Sequence, residues 1–217
     1  ALYGPRFDVE SEVTVTAGAT QAIFTAIAAF VRPGDEVIVF EPVYDSYVPA
    51  IETVGGKAVF AQLEFPDYKP DWDRVRALIT PRTRALIVND LQNPLGAQCT
   101  GEERERLAEI AMRHDLAVLL DEAYFDIRYG GKSVSLASIP GMAKRSVILY
   151  TFSKKFAMTG WRLGAAIGPR EIIDVLAKLN VNDESCSNHF VQHGALEGLT
   201  GDQSGPKAIL TRLKERR

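Results

Sequence analysis

The sequence has little cysteine, no long apolar run and no excess of either charge, and each of these absences excludes a class of protein. Two cysteines, Cys99 and Cys186, cannot form the disulfide framework of a small secreted domain, so we expect a reducing compartment, the cytoplasm. The longest apolar run, residues 22–31, is far shorter than the ~18 residues that a membrane span needs. Lys and Arg number 25 against 28 Asp and Glu, giving a formal net charge of −3, which argues against a nucleic-acid coat.

The remaining composition is that of a folded domain. Apolar residues make up 46% of the 217 residues and charged residues 24%, which is ordinary for a globular protein. The length predicts one large domain, or one domain with part of another. The sequence does not begin with Met and stops inside a helical pattern at residues 212–217, so we expect a piece of a longer protein.

Short apolar runs alternate with helical patterns along the chain. Four of the runs are apolar on both faces, which is typical of strands buried between two layers in a parallel sheet. They predict strands at residues 37–40, 85–88, 116–120 and 147–150, and residues 13–16 are a fifth candidate. The patterns between them predict helices at residues 20–31, 71–79, 102–114 and 171–179, with Thr100 and Glu103 as a capping box before the third. Residues 183–189 are expected to be a loop, and residues 198–206 a turn before a last helix. This alternation predicts an α/β fold of three α/β/α layers with a mostly parallel central sheet.

Polar residues stand directly after each predicted strand. In an open α/β sheet, ligands bind beyond the carboxyl ends of the strands, so five such exits can face one cleft. The residues concerned are Gly18, Ala19 and Thr20; Tyr44; Asn93; Asp121 and Tyr124; and Thr151, Ser153 and Lys154.

Each of these residues also has an ordinary structural explanation when it is taken alone. Thr20 can simply cap a helix, although a helix N-terminus after Gly18 also suits a phosphate. Asp121 can cap a helix or form an ion pair, although a carboxylate there can also hold a protonated ring nitrogen. Asn93 can belong to a turn, Tyr124 can be a packed aromatic, and Lys154 and Arg162 can be surface residues.

Together, the motifs resemble a known family. They are Gly18-Ala19-Thr20, Asn93-Pro94-x-Gly96, Asp121-Glu122-x-Tyr124, Ser153-Lys154 and Gly160-Trp161-Arg162-x-Gly164, with Glu41-Pro42-x-Tyr44-Asp45-Ser46-Tyr47 in addition. In type and order they resemble the large domain of class I/II aminotransferases, which are pyridoxal-phosphate (PLP) enzymes of fold type I. The resemblance covers almost the whole chain, and it is specific for fold and cofactor but weak for substrate.

The resemblance implies a role for each residue. Lys154 is expected to form a Schiff base with the PLP aldehyde, Asp121 to pair with the pyridine nitrogen, and Asn93 and Tyr124 to donate to the phenolic oxygen. Tyr44 is expected to stack on the ring. The expected phosphate-binding set is Gly18, Ala19, Thr20, Thr151, Ser153 and Arg162. Lys154, Asp121 and Tyr124 form the expected catalytic set; Lys155 is an alternative to Lys154, which we prefer because it directly follows Phe152-Ser153.

The activity implied is transfer of an amino group from an amino acid to a 2-oxo acid. Two alternatives stay open: a PLP-dependent C–S β-lyase or related synthase on the same fold, and an aminotransferase-like effector-sensing domain of a transcription regulator. Residues 1–206 are expected to be the PLP-binding large domain, and 207–217 the start of the helix to a C-terminal small domain outside this sequence. That domain normally supplies the arginine for the substrate carboxylate. A homodimer is expected by resemblance, without a nucleic-acid or membrane partner.

His189 and His193 stand four residues apart and would share one face of a helix. They lack the intervening Glu of a zinc-protease motif, so we expect no metal site. Cys99 and Cys186 are expected to be packed or loop thiols rather than nucleophiles.

Overall fold

The computed structural model of the chain describes residues 6–217, which contain eight strands and seven α-helices. The strands are β1 Val13–Thr16, β2 Glu36–Glu41, β3 Lys57–Glu64, β4 Lys69–Pro70, β5 Thr83–Asn89, β6 Ala117–Asp121, β7 Ser146–Thr151 and β8 Gly164–Ile167. The helices are α1 Ala19–Phe30, α2 Tyr47–Thr53, α3 Trp72–Ala77, α4 Gly101–Arg113, α5 Arg170–Asp183, α6 His189–Thr200 and α7 Ser204–Glu215. None of the helices within this range combines the length and apolar character that crossing a bilayer requires.

All eight strands form one sheet, in the order β1-β8-β7-β6-β5-β2-β3-β4. The five central strands, β7, β6, β5, β2 and β3, are parallel, while β8, β1 and β4 pair antiparallel with their neighbours. Strand β8 runs antiparallel to both β7 and β1, so β1 has the same direction as β7. The last residues of these two strands, Thr16 and Thr151, both pair with Gly164. Every predicted strand exit therefore reaches the same edge of the sheet.

The sheet lies between two helical layers, as the apolar runs predict. Successive residues of a strand point to opposite faces, and the core divides accordingly. Val37 and Val39 of β2 pack with α1, α2 and α5, whereas Ile38 packs with α3 and α4. The same alternation occurs in β5, β6 and β7. The prediction of a three-layer α/β/α fold with a mostly parallel sheet is confirmed.

Several local predictions were wrong in extent. The predicted loop at 183–189 is shorter because α5 continues to Asp183 and α6 begins at His189. The predicted turn at 198–206 spans only 201–203, since Gly198 lies inside α6 and Pro206 in the first turn of α7. Proline is tolerated there because an N–H in the first turn has no partner within the helix. The proposed domain boundary at 206/207 consequently falls inside α7, and the division itself stays a prediction.

Candidate functional site

A cleft of about 150 Å³ opens at the carboxyl edge of the central strands. Its walls contain ten of the eleven residues that the sequence assigns to a site. They are Ala19, Thr20, Tyr44, Asn93, Asp121, Tyr124, Thr151, Ser153, Lys154 and Arg162. Residues that are far apart in the sequence thus meet because the exits of β1, β2, β5, β6 and β7 share one edge.

One end of the cleft, which we call the acid end, is formed by Asp121 together with Tyr47, which does not itself line the cleft but is hydrogen-bonded to Asp121. Asp121 is the last residue of β6 and only 4% exposed. Its Oδ2 accepts a hydrogen bond of 2.5 Å from the Tyr47 hydroxyl, and its Oδ1 accepts one of 3.1 Å from the backbone N–H of Ala123. Burial raises the pKa of Asp121, while the Tyr47 bond, the Ala123 bond and the charge of Lys154 lower it. The acid end therefore holds a carboxylate that is costly to ionise without a further cation.

Asn89 fixes the wall next to the acid end. Its side-chain nitrogen donates to the backbone oxygen of Asp121 at 2.9 Å, and its side-chain oxygen accepts from the backbone N–H of Asn93 at 2.7 Å. This bridge joins the Asn93 turn to the end of β6. Tyr124 lies on the same side of the cleft, and burial together with the nearby Asp121 raises its pKa, which keeps its hydroxyl protonated as a donor.

Lys154 and Lys155 have different surroundings. The Lys154 side chain lines the cleft, with its amine 5.7 Å from the centre of the Tyr124 ring. Lys155 forms an ion pair with Asp126 at 3.3 Å and does not line the cleft. Of the two lysines, only Lys154 is placed beside Asp121 and Tyr124.

The opposite end, which we call the arginine end, consists of the start of α1 and Arg162. Helix α1 begins after Gly18 and has no side-chain cap, so Thr20 is not its N-cap. The Arg162 guanidinium donates to the backbone oxygens of Thr159, at 3.0 Å, and Ala17, at 3.5 Å. No carboxylate within residues 6–217 forms an ion pair with it. Uncapped N–H groups and an unneutralised guanidinium together favour an anion.

Gly18 is the one predicted site residue that does not line the cleft. Its φ is +82°, and a Cβ there would lie 2.5 Å from Arg162 Nη2. The glycine therefore makes room for the guanidinium. Thr151 and Ser153 join the two ends: both are buried, and the Thr151 hydroxyl donates to the Ser153 hydroxyl at 3.0 Å.

Sequence reasoning gave no role to Tyr47, Asn89 or Thr159, although Tyr47 ends the motif that contains Tyr44. Asn89 stands at the exit of β5, four residues before Asn93, and Tyr47 follows Tyr44 by three residues. The rule that ligands bind beyond the carboxyl ends of the strands could therefore have found both.

His189 and His193 lie on the exposed side of α6 with ring centres 4.9 Å apart. The part of the chain that the structure describes has no cluster of three or more His, Cys, Asp or Glu side chains suited to a metal.

The chain is similar in sequence to proteins of one family over most of its length. The model of the family "Aminotransferase class I and II" matches residues 2–217. Aromatic-amino-acid aminotransferase 2 of Thermococcus litoralis is 36% identical over 199 residues, which cover 91% of this chain and 51% of that protein. The aspartate aminotransferase of Pyrococcus abyssi is 36% identical over 210 residues, which cover 96% of this chain and 54% of that protein.

A solved structure agrees with these relatives. N-succinyldiaminopimelate aminotransferase from Mycobacterium tuberculosis superimposes with a TM-score of 0.93 at 36% identity, covering 100% of this chain and 57% of that one. The chain spans about half the length of the curated relatives it matches. The α/β fold with a mostly parallel sheet that the sequence predicts is shared with this solved structure over that part of its length.

Proposed function

Because the chain belongs to the class I and II aminotransferase family, we propose that the full-length protein transfers an amino group from an amino acid to a 2-oxo acid, with PLP as cofactor. Members of this family depend on PLP. The observation that carries the proposal is the convergence of Asp121, Lys154 and Arg162 on one cleft. A carboxylate, an amine and a guanidinium match the ring nitrogen, the aldehyde and the phosphate of that one molecule.

The geometry of the cleft fits this cofactor at both ends. At the arginine end, the space that a Gly18 Cβ would fill is occupied by the Arg162 guanidinium, beside the uncapped start of α1. A dianionic phosphate suits such a set of donors. At the acid end, the buried Asp121 carboxylate suits a protonated pyridine nitrogen, which supplies the missing cation.

We assign binding roles accordingly. Arg162, Thr151 and Ser153 would hold the phosphate with the backbone N–H groups of Ala19 and Thr20, while Tyr44 would lie against the ring face. Asn93 and Tyr124 would donate hydrogen bonds to the phenolic oxygen. Such bonds would hold the cofactor at three separate points and so would favour one orientation of it.

PLP, when bound, supplies an electron sink for the α-carbon of the amino acid. Asp121 sustains this sink because its carboxylate favours the protonated form of the ring nitrogen. Lys154 would anchor the cofactor through its amine. Once an incoming amino acid has released the Lys154 amine, this amine would act as a general base and remove the proton from the substrate α-carbon.

The part of the relatives' length that this chain does not span is where we expect the group that binds the substrate carboxylate.

We further propose a homodimer whose boundary adjoins the arginine end. Trp161 is 49% exposed and Phe190 70% exposed, and both line a depression together with Arg162. Large apolar side chains exposed beside a site are typical of a covered surface. Light scattering on the full-length protein checks whether it is a dimer.

We keep the cytoplasm as the expected compartment, since Cys99 and Cys186 are both free thiols.

An amino-transfer assay on the full-length protein tests the proposed function. Amino acids are paired one at a time with 2-oxo acids, and both new products are quantified. We expect equal amounts of new amino acid and new 2-oxo acid, and no turnover without an acceptor. Release of pyruvate and ammonia without an acceptor would instead establish the β-lyase alternative.

The two adjacent lysines provide a matched pair of variants for the same assay. Lys154→Ala should abolish covalent attachment of PLP, read by borohydride reduction and mass spectrometry, and should lower kcat by roughly three orders of magnitude or more. Lys155→Ala removes only the ion pair with Asp126 and should change kcat by less than about 3-fold. A reversed result would assign the chemistry to Lys155.

A further inference from the structure

The acid end contains a buried tyrosine to which the proposed chemistry gives no role. Tyr47 opens α2 and is only 3% exposed. Its ring packs in the core with α1. The centres of the Tyr47 and Tyr44 rings lie 5.5 Å apart, with an angle of 74° between the ring planes. Its hydroxyl ends on Asp121 Oδ2 at 2.5 Å, although the two residues are 74 positions apart in the sequence.

This hydrogen bond has a fixed direction. Burial and the neighbouring Asp121 charge raise the pKa of Tyr47 well above its ordinary value, so the hydroxyl stays protonated. It therefore acts as the donor and Asp121 as the acceptor. A hydrogen bond from a neutral donor to a buried carboxylate stabilises the charged form over the protonated form.

The other groups around Asp121 cannot replace this bond. The backbone N–H of Ala123 holds only Oδ1, and Lys154 acts on Asp121 through its charge. Tyr124 and Glu122 also lie near, and burial keeps both protonated at neutral pH, the latter with a pKa of about 8. Tyr47 is thus the side chain that orients Oδ2.

We propose that Tyr47 is a positioning residue for Asp121, whose carboxylate it keeps ionised and aimed into the cleft so that the carboxylate can hold the protonated ring of the cofactor. The inference rests on the proposed function for the identity of that ring. The coupling between Tyr47 and Asp121 itself belongs to the chain and is measurable without any cofactor.

Tyr47→Phe tests the proposal because it removes the hydroxyl and keeps the ring. Tyr150→Phe is the matched control: Tyr150 is a half-buried tyrosine on β7 that packs on Phe152 and does not line the cleft. In the full-length protein, Tyr47→Phe should raise the Kd for PLP roughly 10-fold, as expected for a lost hydrogen bond to a charged group. It should also move the pH at which the visible absorbance of the bound cofactor titrates. Tyr150→Phe should change the Kd less than about 2-fold.

A double-mutant cycle separates this role from simple packing. If Tyr47 acts through Asp121, adding Tyr47→Phe to Asp121→Asn should weaken PLP binding less than about 2-fold further. An undiminished 10-fold loss in that background would overturn the proposal, as would an unchanged Kd and absorbance titration in the single variant.

The cofactor-free protein distinguishes failure of this inference from failure of the proposed function. Without its hydrogen bond, Asp121 should have a still higher pKa, so Tyr47→Phe should lose more stability than wild type as the pH rises above the ordinary pKa of an aspartate. The extra loss should vanish in the Asp121→Asn background. An equal pH dependence in wild type and Tyr47→Phe would reject the coupling even if PLP binds, whereas absence of PLP binding in wild type would reject the proposed function alone.

Discussion

The acid end and the arginine end of the cleft both hold charge, but they do so by opposite means. At the acid end, Asp121 lies within the body of the fold, and Tyr47 from another element reaches it. At the arginine end, Arg162 is an exposed residue held by two backbone carbonyls, next to backbone N–H groups at the start of α1. The first end is made by burial, and the second by local backbone geometry.

The difference separates two tasks. A buried carboxylate alters the protonation of whatever touches it, because charge interactions strengthen where water is excluded. A partly solvated guanidinium and free N–H groups hold an anion without changing its chemistry. We therefore expect Asp121 substitutions at the acid end to lower the rate by a much larger factor than the affinity for the cofactor, and substitutions at the arginine end to lower mainly the affinity.

The largest effect is expected from Asp121→Asn at the acid end. The amide is similar in size but neutral, so it cannot favour a protonated ring nitrogen. We expect kcat to fall by roughly three orders of magnitude while PLP stays bound. Asp126→Asn, which removes the carboxylate paired with Lys155 outside the cleft, should change kcat less than about 3-fold. Near-normal turnover in Asp121→Asn would remove the distinction between the two ends.

Arg162→Lys should give the opposite pattern at the arginine end. Lysine keeps the charge but loses the planar fork that can meet two phosphate oxygens. The Kd for PLP should rise roughly 30-fold, with kcat within about 3-fold at saturating cofactor. Arg170→Lys, a surface residue paired with Asp174, is the control and should bind PLP normally. A loss of kcat without a loss of affinity would contradict the division of tasks.

The arginine end was easier to predict from the sequence than the acid end. A glycine between a strand and a helix, and an arginine within a short glycine-flanked motif, are local signals. The Tyr47–Asp121 bond depends on β2 and β6 lying on either side of β5, which no local pattern specifies. Asp121 was predicted because it follows a strand, whereas its partner was not.

The distinction between local and tertiary signals also explains which strands could be predicted from the sequence. Strands β2, β5, β6 and β7 are buried on both faces and were predicted from their apolar runs. Strand β8 consists of Gly, Ala, Ala and Ile, and β3 is mostly half-buried or exposed, so neither has a strong apolar signal. They form strands because neighbouring strands offer hydrogen bonds, which is a tertiary effect.

Gly18→Ala tests whether backbone geometry governs the arginine end. The new Cβ would displace the Arg162 guanidinium and would also strain a residue at φ +82°. We expect roughly a 10-fold rise in the Kd for PLP. Gly34→Ala separates the two causes, since Gly34 has φ +87° but no atom within 4 Å of an added Cβ. It should lose about 1 kcal/mol of stability and no affinity. Equal affinity losses in both variants would mean that strain alone is responsible.

The smallest expected effect concerns Glu122, which follows Asp121 in the sequence, does not line the cleft and is 4% exposed. Burial raises its pKa to about 8, with the charges of Asp90, Asp121 and Asp126 adding to the shift and a hydrogen bond with Ser135 opposing it. Its Oε2 has no hydrogen-bond partner within residues 6–217. In the unfolded chain the same group titrates near 4.5, so the native state holds the extra proton between these two pH values.

The contribution of Glu122 to stability should therefore be fully present below pH ~4.5 and should be lost as the pH rises towards 8, because the unfolded chain has already released the proton that the native state retains. Glu122→Gln mimics the protonated form and should flatten this slope, gaining at least about 1 kcal/mol at pH 8 relative to pH 5, the worth of one pKa unit. Chemical denaturation of the cofactor-free full-length protein at both pH values measures it. Arg162→Gln should keep the wild-type slope, because Arg162 is not among the groups that shift the pKa of Glu122. An unchanged slope in Glu122→Gln would show that the burial of Glu122 does not set the pH dependence of stability.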